Sequence, residues 1–563
     1  MLKNLHILRL SMKKIYLVLF VILLSSCGVR KSIKHLPETD GYNQEIPKPI
    51  QHSPTIFTYN DNFLFKNKQN NLWEMYVEGD ALQRGLIMGS LSDSLIKKQE
   101  HVFFGKIKEM VPSRFKQRML RQFLKYYNRK LYLNVSEEYQ TEIYGLSQYT
   151  SDSLEYIAPK YLRTLYLHGA HDIGHALSDL SLVGCTSFAV WGENSADGSL
   201  LIGRNLDFYA GDDFAKDKVV YFIKPDLGHP YMSVSWPGMI GVVSGMNLEG
   251  LSVTINAGKS DIPWVAKTPI SILAREILQY AKNIDEAIAI AKKREVFVSE
   301  SIMIGSAADK KAVIIEISPD NFGVYNVENS SKIVCANHFQ SATYADDKNN
   351  KKQILESHSK YRFDRMSELL AENKKITPQE AATILRTTSG LKNEPLGYGN
   401  EKSLNQLLAH HGIIFKPEQR LVWISANPYQ LGEFVCYDLN KVFDKKIEQR
   451  KLVTMAESKM NIAKDPFLET KAYKDYEKFK LESKEIDKVL AAKTKLSDAQ
   501  IASFQALNPD FWEVYYKAGK YYQQQKEFAK AGANFEKALT KEITTLPDEK
   551  EVRKQLEKVK KRQ

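Results

Sequence analysis

A cysteine that follows a glycine and opens an apolar stretch is the first candidate for chemistry, in Gly184-Cys185-Thr186-Ser187-Phe188. A lone cysteine in this setting is often only a small buried hydrophobe, so its neighbours decide the interpretation. Arg204 and Asp207 follow on the next apolar stretch and could both reach the start of the Cys185 strand. Because side chains alternate faces along a strand, the two residues need a bend or bulge between them.

Four short motifs in series resemble a known family. They are Gly184-Cys185-Thr186, Gly203-Arg204-Asn205-Leu206-Asp207-Phe208, Asn256-Ala257-Gly258 and Asn337-His338-Phe339. Over about residues 161–425 the chain resembles the acyl-coenzyme A:6-aminopenicillanate acyltransferase type of N-terminal-nucleophile (Ntn) cysteine hydrolase, which is related to choloylglycine hydrolase and penicillin V acylase. The resemblance implies an α+β fold, a four-layer αββα sandwich, made as a precursor and cut between Gly184 and Cys185.

The chemistry of that cut explains why these residue types are needed. The Cys185 thiol would attack the Gly184 carbonyl and form a thioester that water hydrolyses, and glycine tolerates the strained backbone of such an attack. Cleavage frees the α-amino group of Cys185, and an α-amine titrates at about pH 7.7–8.0. That amine is a plausible general base for its own thiol, so no separate histidine is required.

The resemblance also implies roles for the remaining motif residues. Arg204 would stabilise the thiolate, and Asp207 would orient the α-amino group by a hydrogen bond. Asn256 would supply a side-chain N–H to the oxyanion. Asn337 would position the nucleophile or the scissile group. A later arginine of the related acylases is matched here with Arg386, although no motif fixes that alignment.

A histidine cluster just before the cut offers a different chemistry. His168, His171 and His175 fall on one face of a helix, as a metal site would require. Two glycines weaken that helix, however, and the segment belongs to the expected pro-region. We therefore expect these histidines to pack against the catalytic domain, and the sequence predicts no metal ion and no other cofactor.

The N-terminus indicates export. Lys13 and Lys14 precede the apolar run 15–24, which is shorter than a bilayer span and typical of a signal-peptide core. Leu24-Ser25-Ser26-Cys27 resembles a lipobox, which implies that Cys27 is lipidated and becomes the mature N-terminus. We expect a bacterial cell-envelope lipoprotein, anchored by lipid at the outer membrane or in the periplasm. An ordinary secretory signal with an incidental cysteine is the alternative.

The elements that must position the site follow from hydrophobic periodicity. Residues 28–72 are interpreted as a tether and 73–184 as a helical pro-region; 185–445 alternate strand runs with helix pairs, which is typical of a layered α+β domain. Thr377, Pro378 and Glu380 form a helix start signal. Residues 446–563 are helical and lysine-rich, and one stretch resembles a tetratricopeptide repeat or a generic helical hairpin, with small and aromatic residues at Gly519, Tyr522, Ala531, Phe535 and Ala538.

Composition excludes some functions and leaves others open. The 563 residues carry a net charge of +12 that is spread along the chain, which argues against a nucleic-acid binder. Of four cysteines, only Cys335 and Cys436 remain for an optional disulfide. The leading hypothesis is a self-cleaving amidohydrolase or acyltransferase acting on small N-acyl amides through a Cys185 acyl-enzyme. The alternatives are a non-catalytic lipoprotein scaffold, presenting its C-terminal helices to a protein partner, and a metal-dependent hydrolase.

Overall fold

The computed structural model describes residues 28–169, 172, 184–208, 211–259, 263, 265–444 and 454–563. The predicted signal segment, Cys27, His171, His175 and the boundary at residue 445 lie outside these residues. No helix in the described part of the chain is both long and apolar enough to cross a bilayer.

Two β-sheets form the centre of the molecule. Within the described residues, the larger sheet has the strand order β1-β2-β3-β4-β7-β8-β9-β10-β11-β12-β13, and its only parallel pair there is β4 with β7. The smaller sheet is antiparallel throughout, in the order β14-β5-β6-β15-β16-β17. The strands of the larger sheet are β1 (Ile50–Ser53), β2 (Ile56–Tyr59), β3 (Asn62–Lys66), β4 (Trp73–Gly79), β7 (Val219–Pro225), β8 (Tyr231–Ser235), β9 (Ser244–Asn247), β10 (Leu251–Ala257), β11 (Glu300–Ser306), β12 (Lys311–Ile317) and β13 (Phe322–Tyr325). Those of the smaller sheet are β5 (Thr186–Val190), β6 (Leu201–Leu206), β14 (Lys332–Cys335), β15 (His411–Lys416), β16 (Leu421–Ser425) and β17 (Phe434–Asp438).

Helices cover the sheets and build the C-terminal region. Those before Cys185 are α1 (Ala81–Leu91), α2 (Asp93–Met110), α3 (Arg114–Tyr127), α4 (Glu137–Ser147) and α5 (Lys160–His168). The next are α6 (Asp212–Lys216), α7 (Ile270–Tyr280), α8 (Ile284–Lys292), α9 (Lys348–Glu356), α10 (Ser359–Glu372), α11 (Pro378–Leu385) and α12 (Leu439–Val442). The last are α13 (Lys471–Ala492), α14 (Asp498–Ala506), α15 (Trp512–Gln524), α16 (Phe528–Leu539) and α17 (Leu546–Lys560).

Alternation along the strands explains how both faces of each sheet are buried. In β15, Ile413 joins an apolar cluster that contains residues of both sheets, whereas its neighbour Ile414 joins a cluster with Met366 of α10 and Leu385 of α11. The other face of the larger sheet packs on α7, α8 and the helices that precede residue 185. The two central apolar clusters are therefore separated by the sheets themselves.

The prediction for residues 28–72 differs from the structure. This stretch contains β1, β2 and β3 rather than only a tether, and the predicted helical region begins with strand β4. The local reason is visible in Phe63-Leu64-Phe65 and Trp73-Glu74-Met75-Tyr76-Val77, which are strand-like apolar runs. These strands extend the larger sheet, so the chain before Cys185 is part of the same core.

Other expectations about the fold are confirmed. Helix and sheet are mixed, and the C-terminal region is helical. Thr377 and Glu380 form a reciprocal capping box at the start of α11. The C-terminal helices share an apolar cluster with Leu407 and Leu431, so they pack on the main domain. Gly519 permits close contact between α15 and α16, because a Cβ there would lie 2.5 Å from the Phe535 ring.

Candidate active site

Cys185 lies immediately before β5, and Arg204 of the neighbouring strand β6 reaches its sulfur. The distance from Arg204 Nη2 to Cys185 Sγ is 3.6 Å. The same guanidinium donates to Ser244 Oγ of β9 at 2.7 Å and to the carbonyl of Ile255 in β10. Arg204 is completely buried and thus bridges the two sheets next to the thiol. The structure brings these two predicted residues together.

The electrostatic surroundings of the Cys185 thiol are mixed. Burial raises the pKa of the thiol, the positive charge of Arg204 lowers it, and the negative charge of Asp207 raises it again. Burial outweighs the arginine, so the net direction in the uncut chain is upward. The thiol is thus held largely in its neutral form.

Asp207 is the residue for which the sequence predicted a bend or bulge after Arg204. Strand β6 ends at Leu206, so the chain leaves the regular alternation just before Asp207, and no bulge is needed within the strand. Among the described residues, neither carboxylate oxygen of Asp207 has a hydrogen-bond partner, although the side chain is fully buried. Burial raises the pKa of Asp207 to about 7, while Arg362 and Arg204 lower it. A buried carboxyl without a donor requires an explanation.

A pH prediction follows from the raised pKa of Asp207. Because the folded-state pKa of about 7 exceeds the ordinary value of 3.8, the neutral carboxyl is the form that folding favours. Its contribution to stability is complete below about pH 4 and is lost as the pH rises through about 7. We expect Tm of the uncut Cys185→Ala chain to fall, relative to the Cys185→Ala/Asp207→Asn chain, between pH 4 and pH 7. If the Tm values of the two chains instead change equally with pH over this range, Asp207 is ionised throughout.

Two buried side chains hold the backbone on either side of the Gly184–Cys185 bond. Gln406 Nε2 donates to the Gly184 carbonyl at 3.0 Å, and Arg362 Nη1 donates to the Cys185 carbonyl at 2.6 Å. A Cβ at Gly184 would lie 2.4 Å from Gln406 Nε2, so a larger residue fits only if Gln406 moves. The Gly184 N–H donates to the carbonyl of Asp207 at 3.2 Å. The bond that the sequence marks for cleavage is thus fixed from several sides.

Arg362 was not among the predicted site residues, and it is a second arginine beside Cys185. Besides the Cys185 carbonyl, it donates to Thr186 Oγ1 and to Asn337 Oδ1. Burial lowers the pKa of Arg362 to about 10. Arg386 instead donates to three backbone carbonyls of a different region, those of Gln430, Gly432 and Ala463. A signal for Arg362 existed, because it shares a helical face with the apolar Met366 and Leu369.

The two predicted asparagines are buried next to this network but are already hydrogen-bonded. Asn256 Nδ2 donates to the carbonyls of Cys335 and Ala336 at 3.1 and 3.3 Å. Asn337 Nδ2 donates to the Ala257 carbonyl at 2.9 Å. Asn256 must therefore release a carbonyl before it could donate to an oxyanion, whereas Asn337 is positioned by Arg362 and Ala257.

The other chemically active side chains have structural contacts. Both ring nitrogens of His168 are engaged, Nδ1 with the Thr164 carbonyl at 2.8 Å and Nε2 with the Ile240 N–H at 3.0 Å. No cluster suited to a metal ion occurs in the described part of the chain. Cys335 and Cys436 are free, buried thiols, so the optional disulfide between them is not formed.

A small apolar cavity of about 40 Å³ lies beside the end of β6. One wall is aromatic and includes Phe208 and Trp236, whose ring centroids are 5.6 Å apart. The lining also includes residues of helices that precede Cys185, among them Phe103 and Thr164. This volume exceeds the ~10–15 Å³ that one water needs but is too small for an acyl chain unless a wall moves.

Comparison with known proteins bears directly on the region around these residues. Residues 193–428 match the family model described as acyl-coenzyme A:6-aminopenicillanic acid acyl-transferase, which confirms the family resemblance. This segment contains Arg204, Asp207, Asn256 and Asn337, and it begins shortly after Cys185. An uncharacterized protein of Archaeoglobus fulgidus is 29% identical over 153 residues, which are 26% of this chain and 26% of that protein. The chain therefore matches about a quarter of the length of that curated relative.

Two solved structures are also similar. The Caenorhabditis elegans ortholog of N-acylethanolamine-hydrolyzing acid amidase is 18% identical, with a TM-score of 0.30, over 42% of this chain and 93% of that one. A mutant form of the conjugated bile acid hydrolase of Clostridium perfringens is 16% identical, with a TM-score of 0.31, over 46% of this chain and 93% of that one.

Proposed function

We propose, from the match of residues 193–428 to the acyl-coenzyme A:6-aminopenicillanic acid acyl-transferase family, that this chain is an N-terminal-nucleophile enzyme with Cys185 as its nucleophile. The family supports an amidohydrolase or an acyltransferase in general. The specific proposal is that the chain cuts itself between Gly184 and Cys185 and then cleaves N-acyl amides through a Cys185 acyl-enzyme.

One observation supports the N-terminal role of Cys185 above all others. The buried carboxylate of Asp207 lacks a hydrogen-bond donor among the described residues, and it lies close enough to Cys185 to shift the pKa of the thiol. Cutting the peptide bond before Cys185 would create an ammonium group at that place. The new charge would give Asp207 the donor that it lacks in the uncut chain and lower the pKa of its carboxyl.

The proposed cut uses groups that already contact the bond. The Cys185 thiol loses its proton as Sγ attacks the Gly184 carbonyl carbon, and Gln406 donates to the developing oxyanion from 3.0 Å. The bond from carbon to the Cys185 nitrogen then breaks, and the nitrogen takes up the proton that the thiol released and so becomes the α-amine. Water hydrolyses the resulting thioester, which returns the thiol and leaves Gly184 with a free carboxylate.

The same nucleophile would then act on substrate. The Cys185 α-amine removes the thiol proton, and Arg204 at 3.6 Å stabilises the thiolate. Sγ attacks the acyl carbonyl of the amide, and the protonated amine of the substrate leaves. Water or an acceptor amine then attacks the thioester, so hydrolysis and acyl transfer share one intermediate. Asn256 would stabilise the oxyanion after giving up one of its carbonyl contacts.

Further parts of the proposal concern architecture and location. The two sheets with helices on their outer faces would form the four-layer αββα sandwich, and α15 with α16 a tetratricopeptide-like hairpin that could bind a protein partner. Lipidation at Cys27 would anchor the enzyme in a bacterial envelope.

Intact-mass analysis of the purified wild-type protein tests the proposal directly. We expect two chains that meet at Gly184 and Cys185, alkylation of Cys185 by iodoacetamide, and release of amine from a panel of N-acyl amides. A chelator should not change the rate, because no step uses a metal. An uncut chain that also resists alkylation at Cys185 would exclude this mechanism and favour the scaffold alternative.

A further inference from the structure

Helix α3 (Arg114–Tyr127) has two apolar stripes, although it lies at the surface. The inner stripe, with Leu124 and Tyr127, packs on the core of the larger sheet. The outer stripe is exposed at intervals of four, four and three residues, which places its members on one face. It consists of Phe115 (71% exposed), Met119 (57%), Phe123 (43%) and Tyr126 (36%). No described contact with the rest of the protein requires this second apolar face.

A row of cations runs beside the outer stripe. Arg114, Arg118, Arg121 and Lys125 recur at intervals of four, three and four residues, so they share the adjacent side of the helix. From Met110 to Ser136 the chain contains no aspartate or glutamate to neutralise them. The helix thus presents adjacent apolar and positively charged surfaces.

The neighbouring residues extend this character. The Arg121 guanidinium lies 5.3 Å from the ring centroid of Tyr156, and Lys108 Nζ lies 6.0 Å from the same ring. Tyr156 is itself about half exposed. Amphipathic aromatic rings beside basic side chains are typical of the interfacial region of a membrane.

These observations define the chemistry of the partner. A nucleic acid would satisfy the cations but leave the aromatic and methionine side chains without an apolar partner. The surface of an anionic bilayer satisfies both, because acyl chains receive the apolar face while phosphate groups pair with the basic side chains. We propose that α3 is an interfacial helix that binds the surface of an anionic phospholipid bilayer. This inference does not depend on the proposed catalytic function.

A site-specific probe tests the inference even if another segment also binds lipid. Met119→Cys, in the full chain with Cys27→Ser so that no lipid is attached, would carry an environment-sensitive nitrobenzoxadiazole label. Cys185, Cys335 and Cys436 are buried, and the unsubstituted Cys27→Ser chain, labelled in parallel, gives the background. On phosphatidylglycerol vesicles we expect the label at position 119 to shift to the blue and brighten.

The matched control carries the label on a different helix. Leu481 of α13 is 66% exposed, and the label in Leu481→Cys should not shift when vesicles are added. Replacing Arg114, Arg118, Arg121 and Lys125 by glutamine should raise the vesicle concentration needed for the Met119→Cys shift by on the order of 10³-fold. Circular dichroism would confirm that these surface variants fold.

Two outcomes would overturn the inference. One is an unshifted label at position 119 on phosphatidylglycerol vesicles, or equal shifts at 119 and 481. The other is an equally strong shift on neutral phosphatidylcholine vesicles, which would mean that the basic row does not select an anionic surface.

Discussion

Cys185→Ala should remain one uncut chain and should not release amine from any N-acyl amide that the wild type cleaves. Alanine has no group that can attack the Gly184 carbonyl or carry an acyl group, so both reactions lose their nucleophile. Removing the nucleophile of a comparable acyl-transfer enzyme lowers kcat by about 10⁶-fold. Intact mass measures the first loss, and amine release under saturating substrate measures the second.

Cys436→Ala is the matched control for this variant. Cys436 is also a free, buried thiol, and burial raises the pKa of its side chain to about 12, but it lies in β17. The control should be cut and should turn over substrate at close to the wild-type rate. Normal cleavage of Cys185→Ala would show that another residue attacks the Gly184 carbonyl and would refute the assignment of the nucleophile.

Arg362→Met should slow turnover by about 10²-fold or more and should move the alkylation of Cys185 to higher pH. The guanidinium of Arg362 holds the Cys185 carbonyl and Asn337 in one arrangement, which methionine cannot reproduce. Its positive charge also interacts with the Cys185 thiolate, so its removal disfavours the ionised thiol. The rate of iodoacetamide reaction as a function of pH reports the second effect.

Arg386→Met separates this role from simple loss of stability. Arg386 is also mostly buried and donates to backbone carbonyls, so both variants leave buried acceptors unpaired and should lower Tm. Only Arg362→Met should change the pH profile of Cys185 alkylation. The same displacement in both variants would mean that Arg362 acts only through the stability of the fold.

Local patterns predicted much of the fold correctly. The helix start at Thr377 needs only a capping side chain, a proline and a glutamate within four residues, and the structure shows that cap. The strand Leu251–Ala257 alternates apolar and polar residues, with Leu, Val, Ile and Ala separated by Ser, Thr and Asn, so its extent is visible without knowledge of its pairing with β11. Where the determinants are adjacent in the chain, sequence reasoning is sufficient.

Apart from strands β1 to β4, whose local apolar runs the prediction missed, the errors concern contacts between distant parts of the chain. Strand β4 pairs in parallel with β7, which begins at Val219, and nothing within residues 73–79 indicates that partner. Gln406 lies in an irregular loop, and its importance follows only from a hydrogen bond to Gly184, 222 positions away. The family motifs end at Phe339, so they did not identify Arg362. The position of Arg362 on a buried helical face was nevertheless a usable signal.

The loop that carries Gln406 rests on the last helices of the protein. Its neighbour Leu407 packs with Tyr476 of α13, and Asn400 donates to the Glu542 carbonyl at 2.9 Å. These helices lie more than sixty residues after Gln406 in the sequence, so they are synthesised after it. The nascent chain would therefore lack a fixed donor at Gly184 until its C-terminal region has emerged and folded. Under the proposed mechanism, self-cleavage would therefore wait until the C-terminal helices have folded against this loop.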